Sequence, residues 1–299
     1  MKTNQLTQLL AACVVATVMV LLTSCAADQA DSAAEPVVES TPTESPYVIA
    51  PNGEITLRTD CDGVDIHWEY EGADGPDYWD DLCTDWACGG YQQSPVNIVP
   101  PPVRRLSKSL RFYWKNTETH IVNNGHTVQY NIDQPSNQND RSYISLNGQR
   151  FYLLQFHFHA ASEHTVNGEH YPAEIHFVHQ NPLNGQLAVI GVFVEEGAAN
   201  PFFADIHDLW PHDEGHYDDA SSTFNPNMLM PSGYNNFYKA HFWYYDGSLT
   251  TPPCSEIVNW MVWSTTIEAS HEQIMEMESV LHENYRPVQP LDGRLVKAQ

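Results

Sequence analysis

The sequence predicts one mainly β domain, of α+β class, built on a large and mostly antiparallel central sheet with a few peripheral helices. Three observations carry this. Short β-branched and aromatic segments recur between clusters of Gly, Pro and Asn. A single stretch near the C-terminus has helical spacing. Residues 61–299, 239 positions without an internal repeat, make a length that one all-β domain commonly fills.

Taken in order, the strand candidates are "HIVNNGHTVQYNI" (120–132), "SYISLNGQRFYLLQFHFH" (142–159), "AEIHFVHQ" (173–180), "QLAVIGVFVE" (186–195) and "IVNWMVWSTTI" (257–267). The "LNGQ" at 146–149 predicts a tight hairpin, because Asn147 and Gly148 tolerate positive φ. The helix candidate is "SHEQIMEMESVL" (270–281), with Ser270 as cap and Gln273 three residues on. Ile274, Met277 and Leu281 then share one face and belong to the core.

Ahead of these lies "MKTNQLTQLLAACVVATVMVLLTS" (1–24), in which Lys2 precedes a 14-residue apolar run from Leu9 to Leu22. That run is short of the roughly 20 residues a spanning helix needs, and the pattern is that of an export signal. The "LTSC" at 22–25 resembles the lipobox of bacterial lipoproteins. This implies cleavage after residue 24, lipid on Cys25, and anchoring in the bacterial cell envelope at a periplasmic or outer-membrane face. Residues 25–60, rich in Ala, Ser, Thr, Pro and acids, predict a disordered acidic tether, leaving 61–299 as the folded domain.

The chain has 13 Lys and Arg against 38 Asp and Glu, a net charge of −25. Residues 61–299 hold 11 of the bases and 31 of the acids. Such a surface excludes nucleic acid and anionic lipid as partners, so membrane contact is expected only through the anchor. Of six cysteines, Cys13 belongs to the leader and Cys25 to the lipid site; Cys61, Cys83, Cys88 and Cys254 remain, an even number that predicts two disulfides in an oxidising compartment. The residues alone leave three pairings open.

The chemistry sits in "QFHFH" (155–159). In a strand, His157 and His159 point to one side and Phe156 and Phe158 to the other, with the two imidazoles about 7 Å apart at Cα. His176 of "AEIHFVHQ" supplies a third imidazole from a neighbouring strand. Three neutral imidazoles with one open position form a catalytic zinc site, as opposed to a closed structural one.

These motifs resemble the α-class carbonic anhydrases, zinc enzymes that interconvert carbon dioxide and bicarbonate. The likeness runs from about His67 to Arg294 through "HWEYEGADGPDYW" (67–79), "QQSPVNI" (92–98), "NNGHTV" (123–128), "QFHFHAASEHTVNGEHYPAEIHFVH" (155–179), "DGSLTTPPCSE" (246–256) and "NYRPVQPLDGR" (284–294). It departs at Glu69, where the family usually has Gly, and at Ala161, often Pro in bacterial members.

The resemblance implies Zn2+ on His157, His159 and His176, lowering the pKa of a bound water from about 16 to about 7 to give the hydroxide that hydrates carbon dioxide. It implies Gln155 and Glu174 as partners of the first and third ligands, and a backbone carbonyl near Asn284 for His159. By the same likeness Thr250 is the gatekeeper hydroxyl, oriented by Glu163; Thr251 helps place bicarbonate; and Val178, Val189, Leu249 and Trp260 form the substrate pocket. His126 takes the position of the proton shuttle. His164 and His179 are structural, with His164 bonding Tyr245. Cys254 is implied to pair with Cys88, which leaves Cys61 and Cys83 to each other, and bacterial relatives suggest a homodimer. The remaining cluster, "HDLWPHDEGH" with His207, His212 and His216, reads as an exposed polar loop and is given no role.

The alternative is a non-catalytic cell-surface binding module that keeps the fold and zinc. Relatives of that kind lose a metal-binding His, and here all three stand. A zinc peptidase would need a helical HExxH or a carboxylate ligand, and neither is present.

Overall fold

The computed structural model describes residues 45–50, 55–100, 108–235 and 241–299. The leader, Cys25 and the tether as far as residue 44 lie outside the described residues. Among those described, twelve strands join one sheet. Its main path runs Gly215–Phe224, Thr117–Asn123, Val128–Asn131, Gln149–His159, Ala173–Gln180, Leu187–Glu196, Val258–Trp263, Phe242–Gly247 and Lys297–Ala298. Tyr143–Leu146 pairs with both Gln149–His159 and Leu110–Tyr113. Neighbours are antiparallel except along Leu187–Glu196, which runs parallel to Val258–Trp263 and to Ile267–Ala269. The fold is thus mainly β, as the segment spacing predicts.

The central strands are buried on both faces. Phe156, Phe158, Ile175, Phe177 and Ile190 enter one apolar cluster, while Leu154, Val178, Val189 and Phe193 enter another on the opposite side. This is why "LAVIGVF" reads as an unbroken apolar run rather than an alternating one. The expected hairpin forms at Leu146–Gln149, with φ of +51° at Asn147 and +83° at Gly148. The C-terminal helix spans His271–Leu281 with a capping box between Ser270 and Gln273, and Ile274, Met277 and Leu281 are buried.

Both disulfides join the expected partners. Cys88–Cys254 ties residues 166 apart and Cys61–Cys83 ties residues 22 apart. Closing the longer loop restricts the unfolded chain by about 2 to 5 kcal/mol.

The tether, expected to reach residue 60, ends sooner. Tyr47–Ile49 pairs antiparallel with Ile55–Leu57, and Tyr47 and Ile55 are buried in the cluster that holds Val178 and Val189. Low local hydropathy concealed this, because only a few side chains of the segment are apolar, yet the sheet offers a face that covers them. The "NG" pair at 52–53, between "YVI" and "ITL", was the available hairpin signal. Four more strands of the large sheet, Leu110–Tyr113, Gly215–Phe224, Phe242–Gly247 and Lys297–Ala298, also went unpredicted. The second of these, "GHYDDASSTF", has no apolar alternation and is held by pairing with Thr117–Asn123.

Candidate metal centre

Strand register assembles the centre. His157 lies directly opposite His176, and His159 opposite Glu174, so all four project from the same face while Phe156, Phe158 and Phe177 fill the core on the other. A slip of one residue would send the imidazoles into that core. The three rings have centroids 4.6 to 5.3 Å apart, and one ligand atom from each falls within 4.8 Å of the others.

Each imidazole has its outer nitrogen engaged. His157 Nδ1 lies 2.9 Å from Gln155 Oε1, and His159 Nδ1 lies 2.6 Å from the Asn284 carbonyl oxygen. His176 Nε2 is in ion-pair contact with Glu174 Oε1 at 3.0 Å. Glu174 also accepts from the His164 backbone N–H and sits 2.8 Å from His164 Nδ1, whose Nε2 meets the Tyr245 hydroxyl at 2.6 Å. The outer nitrogens of His157 and His159 are spent on acceptors, so their inner lone pairs fall on Nε2, while His176 Nε2, which makes no hydrogen bond and has only its ion-pair contact with Glu174, leaves Nδ1 for a ligand.

Burial and charge set protonation. Desolvation, followed by repulsion from His159 and His176, pushes His157 well below the ordinary histidine value, and burial lowers His159 as well. Burial alone would raise the Glu174 carboxyl, but the pull of His164 and His176 holds it well below the usual range. Neutral imidazoles at His157 and His159 beside the Glu174 carboxylate are thereby favoured, the form in which such groups ligate a cation.

Glu163 is fully buried. Its Oε1 accepts from the Arg286 backbone N–H at 2.9 Å, while Oε2 has no hydrogen-bond partner and lies 3.5 Å from His159 Nε2 and 3.7 Å from His176 Nδ1. The hydrogen bond expected from Thr250 to Glu163 is thus not made at Oε2, which turns instead toward the imidazole edges; Thr250 itself is buried close by in sequence to cleft-lining Thr251. The buried, unpartnered His159 Nε2 fits a cation held among the three converging imidazoles.

A cleft of about 310 Å³ opens above the centre, and His157, His159, Gln155, Thr251 and His126 all line it. Val178, Val189, Leu249 and Trp260, expected as pocket residues, do not line this cleft; they are buried in the apolar cluster that also holds cleft-lining Tyr47 and Ile55, with Trp260 edge-on to the His176 ring at 4.8 Å. The His126 ring stacks on Trp68 with centroids 3.7 Å apart, and its desolvation lowers its pKa, outweighing the opposite pull of Glu69.

Tyr47, Ile55, Arg286 and the side-chain role of Asn284 escaped sequence reasoning. Tyr47 and Ile55 of the N-terminal hairpin form part of the cleft wall, and the Ile55 carbonyl accepts from Gln129 Nε2. Asn284 joins the shuttle candidate to the ligand strand, donating from Nδ2 to the carbonyls of His126 and Phe158. Arg286, 2 % exposed, braces Gln93 Oε1 and the Ser94 and Cys88 carbonyls with its guanidinium. A charged residue inside "NYRPVQP" was a signal for such a buried brace.

The model of the eukaryotic-type carbonic anhydrases matches residues 74–299. The chain belongs to that family. A carbonic anhydrase of Nostoc sp. is 41% identical over 239 residues, covering 77% of this chain and 85% of the relative. One from Pectobacterium atrosepticum is 39% identical over 237 residues, covering 77% and 90%. The α-carbonic anhydrase of Thermovibrio ammonificans, solved with the inhibitor sulfanilamide, superposes with a TM-score of 0.70 at 39% identity, covering 78% of this chain and 99% of that one. As a carbonic anhydrase the chain is an enzyme of the carbonate dehydratase class, acting on small molecules. The N-terminal hairpin lies ahead of the matched region.

Proposed function

We propose that the chain hydrates carbon dioxide reversibly at a zinc ion held by His157, His159 and His176. The observation that carries this is the convergence of three imidazoles whose outer nitrogens are all engaged by Gln155, Asn284 and Glu174. A zinc ion held there by His157, His159 and His176 would supply Lewis acidity, the chemistry that makes water a usable nucleophile near neutral pH.

The protein does the rest. Gln155, the Asn284 carbonyl and Glu174 fix tautomer and ring orientation, so the lone pairs meet without reorganisation. Glu163, whose Oε1 accepts from the Arg286 N–H, has its Oε2 free to accept from the Thr250 hydroxyl once the loop and the metal are in place. Thr251 positions bicarbonate at the cleft floor. Val178, Val189, Leu249 and Trp260 supply the apolar surface that suits an uncharged substrate. His126, kept largely neutral by desolvation, accepts the proton released at the cleft floor and passes it to buffer.

The two disulfides suit an oxidising compartment, and among the described residues no helix is long and apolar enough to cross a membrane. With "LTSC" they support an exported protein anchored through lipid on Cys25. The test is stopped-flow hydration by the protein as isolated, after chelation, and after zinc is returned. Activity should vanish and reappear with the metal. Folded, zinc-loaded protein without hydration would favour the binding-module alternative.

A further inference from the structure

Away from the cleft, a second set of donors meets at the surface. His207 stands on the short helix Ile206–Leu209 and His212 in the loop after it, while Glu276 comes from the C-terminal helix His271–Leu281. His207 Nδ1 lies 2.9 Å from Glu276 Oε1, and His212 Nε2 lies 3.2 Å from the same oxygen. The two rings are 5.6 Å apart at their centroids and nearly perpendicular, and the three ligand atoms all fall within 4.8 Å of one another. A tetrahedral ion with donors at about 2.0 to 2.1 Å has donor–donor edges of about 3.3 Å. The two N···O distances are therefore within a few tenths of an ångström of a ligating arrangement.

The backbone under these side chains is anchored. Ile206 and Trp210 are buried on either side of His207, and Trp210 Nε1 donates to the Tyr130 hydroxyl. Ile274 and Met277 are buried on either side of Glu276. Ordering the donors thus requires side-chain rotation only. Among the described residues the ion pairs of Glu276 are with these two histidines, so an incoming cation meets no lysine or arginine paired there. The net charge of −25 favours cation approach from solution.

We propose that His207, His212 and Glu276 form a second metal site, exposed and separate from the cleft. It takes a divalent transition ion that accepts imidazole and carboxylate together, and for two imidazoles with one carboxylate Zn2+ is a natural occupant. Binding displaces protons from the imidazoles, leaves a coordination position to water, and fastens the segment around residues 206–212 to the C-terminal helix.

The experiment is equilibrium dialysis of the whole protein against Zn2+, with metal counted per chain, and melting temperature recorded alongside. The wild-type protein should take up a second equivalent after the first and gain melting temperature with it. A His207→Ala/His212→Ala double variant should lose the second equivalent and that gain while keeping the first and its hydration activity. Glu276→Gln, which keeps the shape of the side chain, should weaken the second equivalent alone. A single equivalent in the wild type, or a second that survives the double substitution, overturns the proposal. The first equivalent reports on the cleft, so failure of the two sites is told apart.

Discussion

The molecule brings histidine and glutamate together in two places, and the contrast between them shows what burial adds to a donor set. In the cleft, His159 and His176 are 1 % exposed at their side chains, whereas at the surface His207 and His212 are 75 % and 48 % exposed. Both groups gather three ligand atoms within 4.8 Å. In the buried group every imidazole has a second partner on its outer nitrogen, and desolvation drives protons off His157 and His159. At the surface, Glu276 raises the pKa of His207 instead, and solvent competes for each donor. Under the two proposals, similar ligands serve a nucleophile-generating centre in one place and a dispensable clamp in the other.

The sharpest way to test this contrast is His159→Ala. Zinc should leave the cleft and hydration should fall by several orders of magnitude, toward the uncatalysed rate, while the surface group still binds. Metal counting and stopped-flow rates check both halves, and retained activity would break the comparison. His126→Ala comes next: zinc stays, but turnover in weak buffer should drop on the order of 10²-fold and recover when an imidazole buffer is added. Loss of zinc from that variant would mean that His126 is not the shuttle. Glu174→Gln removes the charge behind His176 and should weaken zinc affinity or activity by about 10- to 100-fold. The same change at Glu276 should leave hydration unaltered.

The smallest effect concerns pH and the buried histidines that hold no metal. His179 accepts from Trp114 Nε1 inside the core, and burial lowers its pKa from 6.5 to about 3. Its folded pKa is depressed, so the unfolded chain binds the extra proton as pH falls. The stabilisation is complete above about pH 6.5 and is lost from there down toward pH 3, by roughly 1.4 kcal/mol per pH unit within that window. Denaturant midpoints measured from pH 7 to pH 5 should fall accordingly, and His179→Gln should flatten that slope.

Much of the centre was legible because it is written in one period. "QFHFH" and "AEIHFVHQ" alternate strictly, and a strand pair with that alternation places His157, His159 and His176 on one face whatever surrounds it. The capping box at Ser270 and the "NG" turn at 147–148 are equally local, and both formed. The N-terminal hairpin was not legible, since Tyr47 and Ile55 gain their burial from a sheet face built by residues more than 100 positions later. The brace by Arg286 and the link by Asn284 were hidden for the same reason: their partners are 123 to 198 residues away.

By itself, then, the sequence determined the class of fold, the histidines proposed as the donor set of the cleft and the even complement of cysteines in the folded domain. All of these follow from residue type and short-range period. Only the tertiary structure decided where the domain begins, that the Asn284 side chain links His126 to the ligand strand, and that Glu276 meets His207 and His212. Those outcomes depend on which distant surfaces become adjacent, and a burial or a ligand pair that exists only after chain closure leaves no trace in local spacing.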